Sequence, residues 1–153
     1  MKILESQNAV LTNYEVYQHL MDRERMLKEK RRRGPGNLAT LVKEVLAYLK
    51  TPPSPLVNQE KTHQYTADVV ARLMARLNEA NLNQDLAKGE ILMILNIRPS
   101  SIAVLSTVIE DMEERFNDDE QQAILDSILE VLGHDEPAGG EEIKGEAAEN
   151  GTS

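Results

Sequence analysis

Histidine and carboxylate side chains are the groups in this sequence that could bind a metal or carry out acid–base chemistry. His19, His63 and His134 lie far apart in the sequence and have no companion at metal-ligand spacing. The sequence contains neither a glycine-rich phosphate loop nor a nucleophile elbow. Acidic helix faces could supply paired carboxylates, but such faces are solvated far more often than they are catalytic. We therefore predict no catalytic residues, no cofactor and no metal site.

A cluster of cations could instead contact phosphate groups. Between Arg23 and Arg33, seven basic residues stand against two acidic ones. The residues available for such a contact are Lys28, Lys30, Arg31, Arg32 and Arg33. A nuclear import signal, a sequence-independent nucleic-acid contact and a solvated helix end all remain open for this run. No aromatic residue interleaves with the cations to stack on bases, so we expect nucleic acid to be contacted only weakly or indirectly.

The composition places these residues on a helical framework. The chain has 153 residues, of which 41% are hydrophobic and only 3% aromatic, and this favours a helical bundle packed by Leu, Ile, Val and Met. Its net charge of −9 argues against a protein that binds phosphate backbones over its whole surface. Without cysteine there are no disulfides or thiolate metal sites, and no apolar run approaches the roughly twenty residues of a membrane span. We predict a soluble, non-secreted, all-α protein.

Capping residues and apolar periodicity predict two helices in the N-terminal third. Thr12 and Glu15 have the spacing of a capping box, and the helix that follows them ends in the basic run. A second helix starts from a cap at Asn37 and carries apolar residues on one face. It ends before residues 51–65, where three prolines predict an exposed linker.

Two more helices are predicted directly after this linker. An apolar stripe from Val69 to Leu77 predicts the first, which a cap at Asn83 separates from the second, at about Asp85 to Leu95. Large apolar residues point in nearly every direction around this second helix. Because a helix that is apolar on all sides is normally buried, we expect it at the centre of the bundle.

Pro99 predicts a sharp corner, because proline interrupts a helix and disfavours helical dihedrals at the residue before it. Beyond the corner, apolar residues recur at spacings of three and four from Ile102 to Phe116, which is typical of one amphipathic helix. A last helix is capped by Asn117 and Glu120. Residues 133–153 are acidic and contain hardly any large apolar side chain, which predicts a disordered tail.

These motifs, taken in order along the chain, resemble a known family. An apolar helix ending in Leu95-Asn96-Ile97-Arg98-Pro99, a helix closing on Glu113-Glu114-Arg115-Phe116 and the opening Leu11-Thr12-Asn13-Tyr14-Glu15-Val16 carry the resemblance. The sequence is similar to the small stalk subunits of eukaryotic RNA polymerases and to their archaeal counterpart. It is most similar to the polymerase III branch, also known as the calcitonin-gene-related-peptide receptor component protein family. The similarity covers roughly residues 3 to 132 and rests on motif order.

The resemblance implies a non-catalytic subunit that works in the nucleus. Members of the family form a stalk heterodimer with a larger partner that carries an OB-fold, and the polymerase III branch acts in transcription initiation of tRNA and 5S rRNA genes. The polymerase core and initiation factors would be further partners. The resemblance also implies partner contact by residues 1–50 and a helical module at 66–132 like the helicase-and-RNase-D C-terminal (HRDC) fold. The linker at 51–65 and the tail at 133–153 are predicted from composition alone and match no motif of the family.

We expect the partner interface at the start of the first helix and at the proline corner. The residues assigned to it are Val10, Leu11, Asn13, Tyr14, Val16, Tyr17, Asn96, Arg98 and Pro99. For the short apolar pieces Ile3-Leu4 and Ala9-Val10-Leu11, which form an extended segment, strand addition to a partner and simple covering of the core both stay open. Asn96 and Arg98 also have a second interpretation, in which they satisfy carbonyl groups at the end of the preceding helix.

Other functions remain open at this point. The polymerase II counterpart has the same architecture. A receptor-signalling adaptor, which the second name of the family implies, should fractionate with receptor-rich membranes rather than nuclei. An autonomous helical nucleic-acid binder would show salt-sensitive binding that substitution of Arg31, Arg32 and Arg33 abolishes.

Overall fold

The computed structural model describes residues 9–31 and 34–133. Within these ranges the chain forms helices and turns and no strand. The helices are α1 (Asn13–Glu29), α2 (Gly36–Leu49), α3 (Gln59–Thr62), α4 (Val69–Glu79), α5 (Lys88–Ile97), α6 (Ile102–Leu105), α7 (Met112–Arg115) and α8 (Asp118–Leu132). The predicted all-α class is confirmed, whereas the HRDC-like character of the C-terminal module stays a prediction. The piece Ile3-Leu4, His134, Arg32, Arg33 and the tail beyond Gly133 lie outside the described residues.

The first two helices pack on each other as a helical hairpin. The predicted capping box starts α1, because Thr12 Oγ1 accepts from the Glu15 amide at 3.1 Å while the Glu15 carboxylate accepts from the Thr12 amide at 2.7 Å. The predicted cap of α2 at Asn37 is wrong, since the helix already begins at Gly36, directly after Pro35, without a side-chain cap. Pro35 restricts the backbone directly before the helix. Asn37 therefore lies inside the first turn of α2 rather than at its cap.

The prediction of an exposed linker at residues 51–65 is wrong in the second half of that segment. Thr51, Pro52 and Pro53 are exposed as expected, but Pro55 and Leu56 are buried, and Leu56 is only 1% exposed. A single turn of helix, α3, follows them. Tyr65, which comes after this helix, is buried as well. The prolines stop α2 as predicted, yet the apolar residues among them still pack into the core.

The centre of the core lies between α4 and α8, which pack more extensively on each other than any other pair of helices in the described residues. Leu73 of α4 and Ile124, Ile128 and Leu132 of α8 are fully buried. Such closely packed aliphatic side chains supply most of the stability of a small helical domain. The second predicted capping box, at Asn117 and Glu120, starts α8 and is confirmed.

The prediction that α5 forms the centre of the bundle is wrong. Ile94 and Leu95 are buried, but Met93 and Ile97 are 43% and 39% exposed. The helix also starts at Lys88 rather than near Asp85, and Asn83 does not cap it. The amide of Asn83 instead donates to the Glu120 carboxylate of α8 at 2.8 Å, which holds the preceding loop in place.

The corner at Pro99 is confirmed. Arg98 ends α5 in the left-handed region, at φ 53°, and Pro99 itself is fully buried. The continuous helix predicted from Ile102 to Phe116 is wrong, because two four-residue helices, α6 and α7, lie at its ends. The hydroxyls of Ser106 and Thr107 donate to carbonyls three residues back and compete with helical hydrogen bonding.

The burial pattern predicted from the same spacing nevertheless holds. Leu105, Ile109, Met112 and Phe116 are each buried, although turns replace the middle of the helix. The apolar spacing in the sequence therefore predicted which side chains face the core, but not the backbone that carries them there.

A buried ion pair organises these short helices. The Glu90 carboxylate accepts from Arg115 Nη1 at 2.5 Å, from the Ala87 amide at 2.6 Å and from the Glu110 amide at 3.1 Å. Arg115 also donates to the main-chain oxygens of Asp85 and Glu110, each at 3.0 Å. Both side chains are largely shielded from solvent. Because Ala87 has no side-chain acceptor, Glu90 supplies the side-chain hydrogen bond that closes the start of α5.

Replacing Glu90 with Gln should lower the free energy of unfolding by about 1–3 kcal/mol, because charge-assisted hydrogen bonds to a shielded arginine are lost. Urea denaturation followed by circular dichroism measures this change. The matched variant Glu114→Gln alters an exposed glutamate of α7 and should leave stability unchanged. Equal effects of the two substitutions would contradict the role assigned to Glu90.

The same ion pair should make stability depend on pH. Burial raises the pKa of Glu90, but hydrogen bonds from Arg115 and from the Ala87 and Glu110 amides outweigh it and hold the pKa below its ordinary value of 4.5. A carboxyl with a lowered pKa in the folded state stabilises the fold above its unfolded pKa and loses this contribution as the pH falls. The difference in unfolding free energy between the native chain and Glu90→Gln should therefore shrink below pH 4.5.

Candidate partner-binding surface

The start of α1 is held against the end of α5. The amide of Asn13 donates to Asn96 Oδ1 at 2.8 Å, a contact between residues 83 positions apart. The first amides of a helix have no partner within the helix, so a side chain from elsewhere can satisfy one of them. This hydrogen bond brings together two parts of the predicted interface, the opening of α1 and the proline corner.

Tyr65 connects this crossing of α1 and α5 to the segment between α3 and α4. Its hydroxyl donates to the Leu95 carbonyl at 2.9 Å, and its ring lies 5.9 Å from the ring of Tyr14. The Gln59 side chain holds its backbone, since Nε2 donates to the Tyr65 carbonyl at 2.6 Å and Oε1 accepts from the Tyr65 amide at 3.0 Å. Burial raises the pKa of Tyr65, so the phenol stays protonated and remains a donor.

Three of the residues predicted to meet a partner are interior residues of this chain. Tyr17 is 5% exposed, with the Lys50 ammonium 5.7 Å above its ring. Pro99 is fully buried, and Arg98 is buried with Nη1 donating to Gln64 Oε1 at 2.8 Å. Their side chains therefore lie beneath the exposed residues of this region. The contact of the Arg98 side chain with carbonyl groups at the end of α5 stays a prediction.

Exposed apolar side chains lie close in sequence to both residues of the Asn13–Asn96 hydrogen bond. Val10 and Leu11 are 60% and 56% exposed, and Met93 and Ile97 lie on the last turns of α5, next to Asn96. We call these four residues the N-terminal patch. Among the described residues, no hydrogen bond is made by the backbone of residues 9–11. The patch therefore offers apolar side chains together with backbone groups that make no hydrogen bond to the other described residues, which suits an added strand or a packing partner.

The basic run lies at the other end of α1. Lys28, Lys30 and Arg31 are exposed, and Lys28 forms a long ion pair with Glu24, at 3.9 Å. Arg32 and Arg33 are outside the described residues. The three interpretations of the run stay predictions, because exposed cations at a helix end fit each of them.

The histidines of the described residues are not part of a metal site. Within residues 9–31 and 34–133, no group of His, Asp and Glu side chains is arranged to hold a metal ion, and His19 and His63 are both exposed. No described helix has the length and apolar character needed to cross a bilayer.

A protein-family comparison identifies the architecture. The model of the family described as RNA polymerase Rpb4 matches residues 10–132, which include every described helix. This chain belongs to the RNA polymerase Rpb4 family. The resemblance predicted from the motifs at residues 11–16 and 95–116 is thereby confirmed, and with it the prediction of a non-catalytic polymerase subunit.

Curated relatives of this Rpb4-family chain carry one name. DNA-directed RNA polymerase III subunit rpc9 of Schizosaccharomyces pombe is 34% identical over 84% of this chain and 96% of its own length. The protein of the same name in Dictyostelium discoideum is 32% identical over 88% of this chain and 93% of its own. The Saccharomyces cerevisiae protein named RPC9 is 26% identical over 86% of this chain and 98% of its own. The relatives thus match almost end to end.

The sequence did not reveal the residues that position this surface. Tyr65 and Gln59 were assigned to an exposed linker, and the pairing of Glu90 with Arg115 was not foreseen. One signal was present for Tyr65, since it is one of only four tyrosines and the single aromatic residue in a proline-rich segment. The contacts of Asn13 and Asn96, in contrast, depend on tertiary structure that spacing does not encode.

Replacing Tyr65 with Phe should lower the free energy of unfolding by about 1–3 kcal/mol, because the Leu95 carbonyl loses its donor in the interior. Denaturant titration gives the change directly. Tyr48→Phe is the matched control, since Tyr48 is 76% exposed and its loss of a hydroxyl should cost nothing measurable. A Tyr65→Phe chain as stable as the control would contradict the role of this hydrogen bond.

Proposed function

We propose that this chain is a stalk subunit of RNA polymerase III that forms a heterodimer with a larger, OB-fold subunit and acts in transcription initiation at tRNA and 5S rRNA genes. The family match and three relatives named as RNA polymerase III subunits support the polymerase assignment. The work of such a subunit is mechanical: it braces the partner and offers a surface to the polymerase core and initiation factors. A nuclear location follows from this assignment.

The single observation that supports partner binding is the N-terminal patch. Val10 and Leu11 are more than half exposed, and they directly precede α1, whose start is held by a capping box. A preorganised apolar surface loses little conformational entropy when a partner covers it. We place strand addition by residues 9–11 at this contact, since their backbone groups are unpaired within the described residues.

The surrounding predicted residues complete the proposed interface. Asn13, Tyr14, Val16 and Asn96 are each partly exposed around the α1–α5 crossing. We propose that they form its rim, and that residues 66–132 act as the HRDC-like module behind it. Tyr17, Arg98 and Pro99 contribute by holding the two helices in register.

The double substitution Val10→Asp and Leu11→Asp should weaken the heterodimer about a hundredfold, which corresponds to about 2.8 kcal/mol, because carboxylates would be buried in an apolar contact. The fold should be unaffected, since both side chains are exposed. Affinity purification of the tagged chain co-expressed with the OB-fold partner, and titration of the two proteins, measure the loss. Val70→Asp, at an exposed apolar position of α4, is the control that should bind normally.

Mass spectrometry of partners recovered with the tagged native chain tests the assignment as a whole. Polymerase III subunits are the expected result. Recovery of polymerase II subunits, or of receptor-rich membranes without any polymerase subunit, would contradict the proposal in favour of the two alternatives named for this family.

A further inference from the structure

An open cleft separates the two helices of the N-terminal hairpin at the end remote from the N-terminal patch. It has a volume of about 540 Å³. Its floor is apolar and consists of Leu27, Leu38 and Val42. Its rim carries the cations Arg23, Lys28 and Arg31 and one carboxylate, Glu24, so that the rim has a net positive charge. We call this the hairpin cleft. An apolar floor within a cationic rim is suited to a segment that combines an apolar side chain with carboxylates.

The tail of the same chain contains such a segment. Residues 134–153 carry six carboxylates and one lysine, for a net charge of −5. Ile143 is the one large aliphatic side chain among them, and Glu141 and Glu142 precede it directly. The charge of this segment is thus opposite to that of the cleft rim, and its single apolar residue matches the cleft floor.

The geometry allows the two to meet. The tail leaves the fold at Gly133, which lies against the side chain of Gln64, next to Tyr65 and hence near Tyr14 in the first turn of α1. From Tyr14 to Leu27 the distance along the helix is about 20 Å, at a rise of about 1.5 Å per residue. The ten residues from Gly133 to Ile143 can extend up to about 33–36 Å, which leaves more than about 10 Å beyond the length of α1 for the step from Gly133 to Tyr14.

We propose that the tail segment Glu141-Glu142-Ile143 docks in the hairpin cleft of its own chain. Ile143 covers Leu27, Leu38 and Val42, and the two carboxylates meet the cations of the rim. Because the segment is tethered, its effective concentration at the cleft is in the millimolar range, and weak contacts suffice to hold it. Opposite charges also make this contact sensitive to salt, since screening at about 1 M salt shortens the Debye length to about 3 Å.

A spin label in the tail tests this docking in the full chain. The sequence contains no cysteine, so Gly145→Cys gives one labelled position two residues from Ile143. Paramagnetic broadening of the amide signals of Leu27, Leu38 and Val42 should be several-fold stronger from this label than from one at Ser153→Cys. It should weaken several-fold in about 1 M salt, where the Debye length is about 3 Å.

Two pairs of charge substitutions make the test specific. In the Gly145→Cys background, Glu141→Gln with Glu142→Gln should reduce the broadening several-fold. Glu146→Gln with Glu149→Gln removes the same charge elsewhere in the tail and should leave it unchanged. Absence of broadening at the cleft, or equal loss with both pairs, would overturn the proposal. A mixture of spin-labelled chains and separate isotope-enriched chains detects contacts between two molecules. Broadening that arises only between molecules would also overturn the proposal, because a second copy would then occupy the cleft.

Discussion

The hydrogen bond from the Tyr65 hydroxyl to the Leu95 carbonyl is the constraint on which the position of the end of α5 depends. Tyr65 is only 2% exposed, so both groups would be left without water if the bond were broken. Leaving a buried hydrogen-bonding group without a partner costs more free energy than a formed hydrogen bond contributes. The fold therefore requires this contact. It holds the end of α5 against Tyr65, whose ring lies 5.9 Å from the ring of Tyr14 in α1, next to the Asn13–Asn96 contact.

Polar contacts and apolar packing stabilise different parts of the fold. The long helices α4 and α8 are held by aliphatic side chains, and their burial needs no particular partner geometry. The four-residue helices α6 and α7 are too short to be stable by themselves. The ion pair of Glu90 and Arg115 ties the segments around them to α5 through main-chain atoms, so that irregular backbone keeps a defined path.

Local signals in the sequence predicted much of this fold. The capping boxes at Thr12 and Asn117, the break at Pro99 and the apolar spacing from Leu105 to Phe116 all depend on neighbours within a few positions. The errors at Tyr65 and Met93 originate in long-range contacts. The burial of Tyr65 depends on a carbonyl 30 positions away, and the exposure of Met93 depends on which helices cover α5. Periodicity showed that α5 is apolar all round, but not whether this chain or another one covers it.

The site was predictable to the same extent. Val10 and Leu11 stood out as apolar residues before a capped helix, and the structure leaves them exposed. The same prediction included Tyr17, Arg98 and Pro99, yet their side chains are buried. The sequence thus selected candidate residues, while only tertiary structure separated the exposed ones from the buried ones.

The span of 83 residues between Asn13 and Asn96 also sets the timing of events during synthesis. A ribosome adds roughly 5–20 residues per second, so α1 has emerged for about 4–17 s before its anchor on α5 has been made. Throughout that interval Val10 and Leu11 belong to a nascent chain that lacks the platform on which they are finally displayed. The surface that displays Val10 and Leu11 is consequently complete only after the α5 segment has been translated.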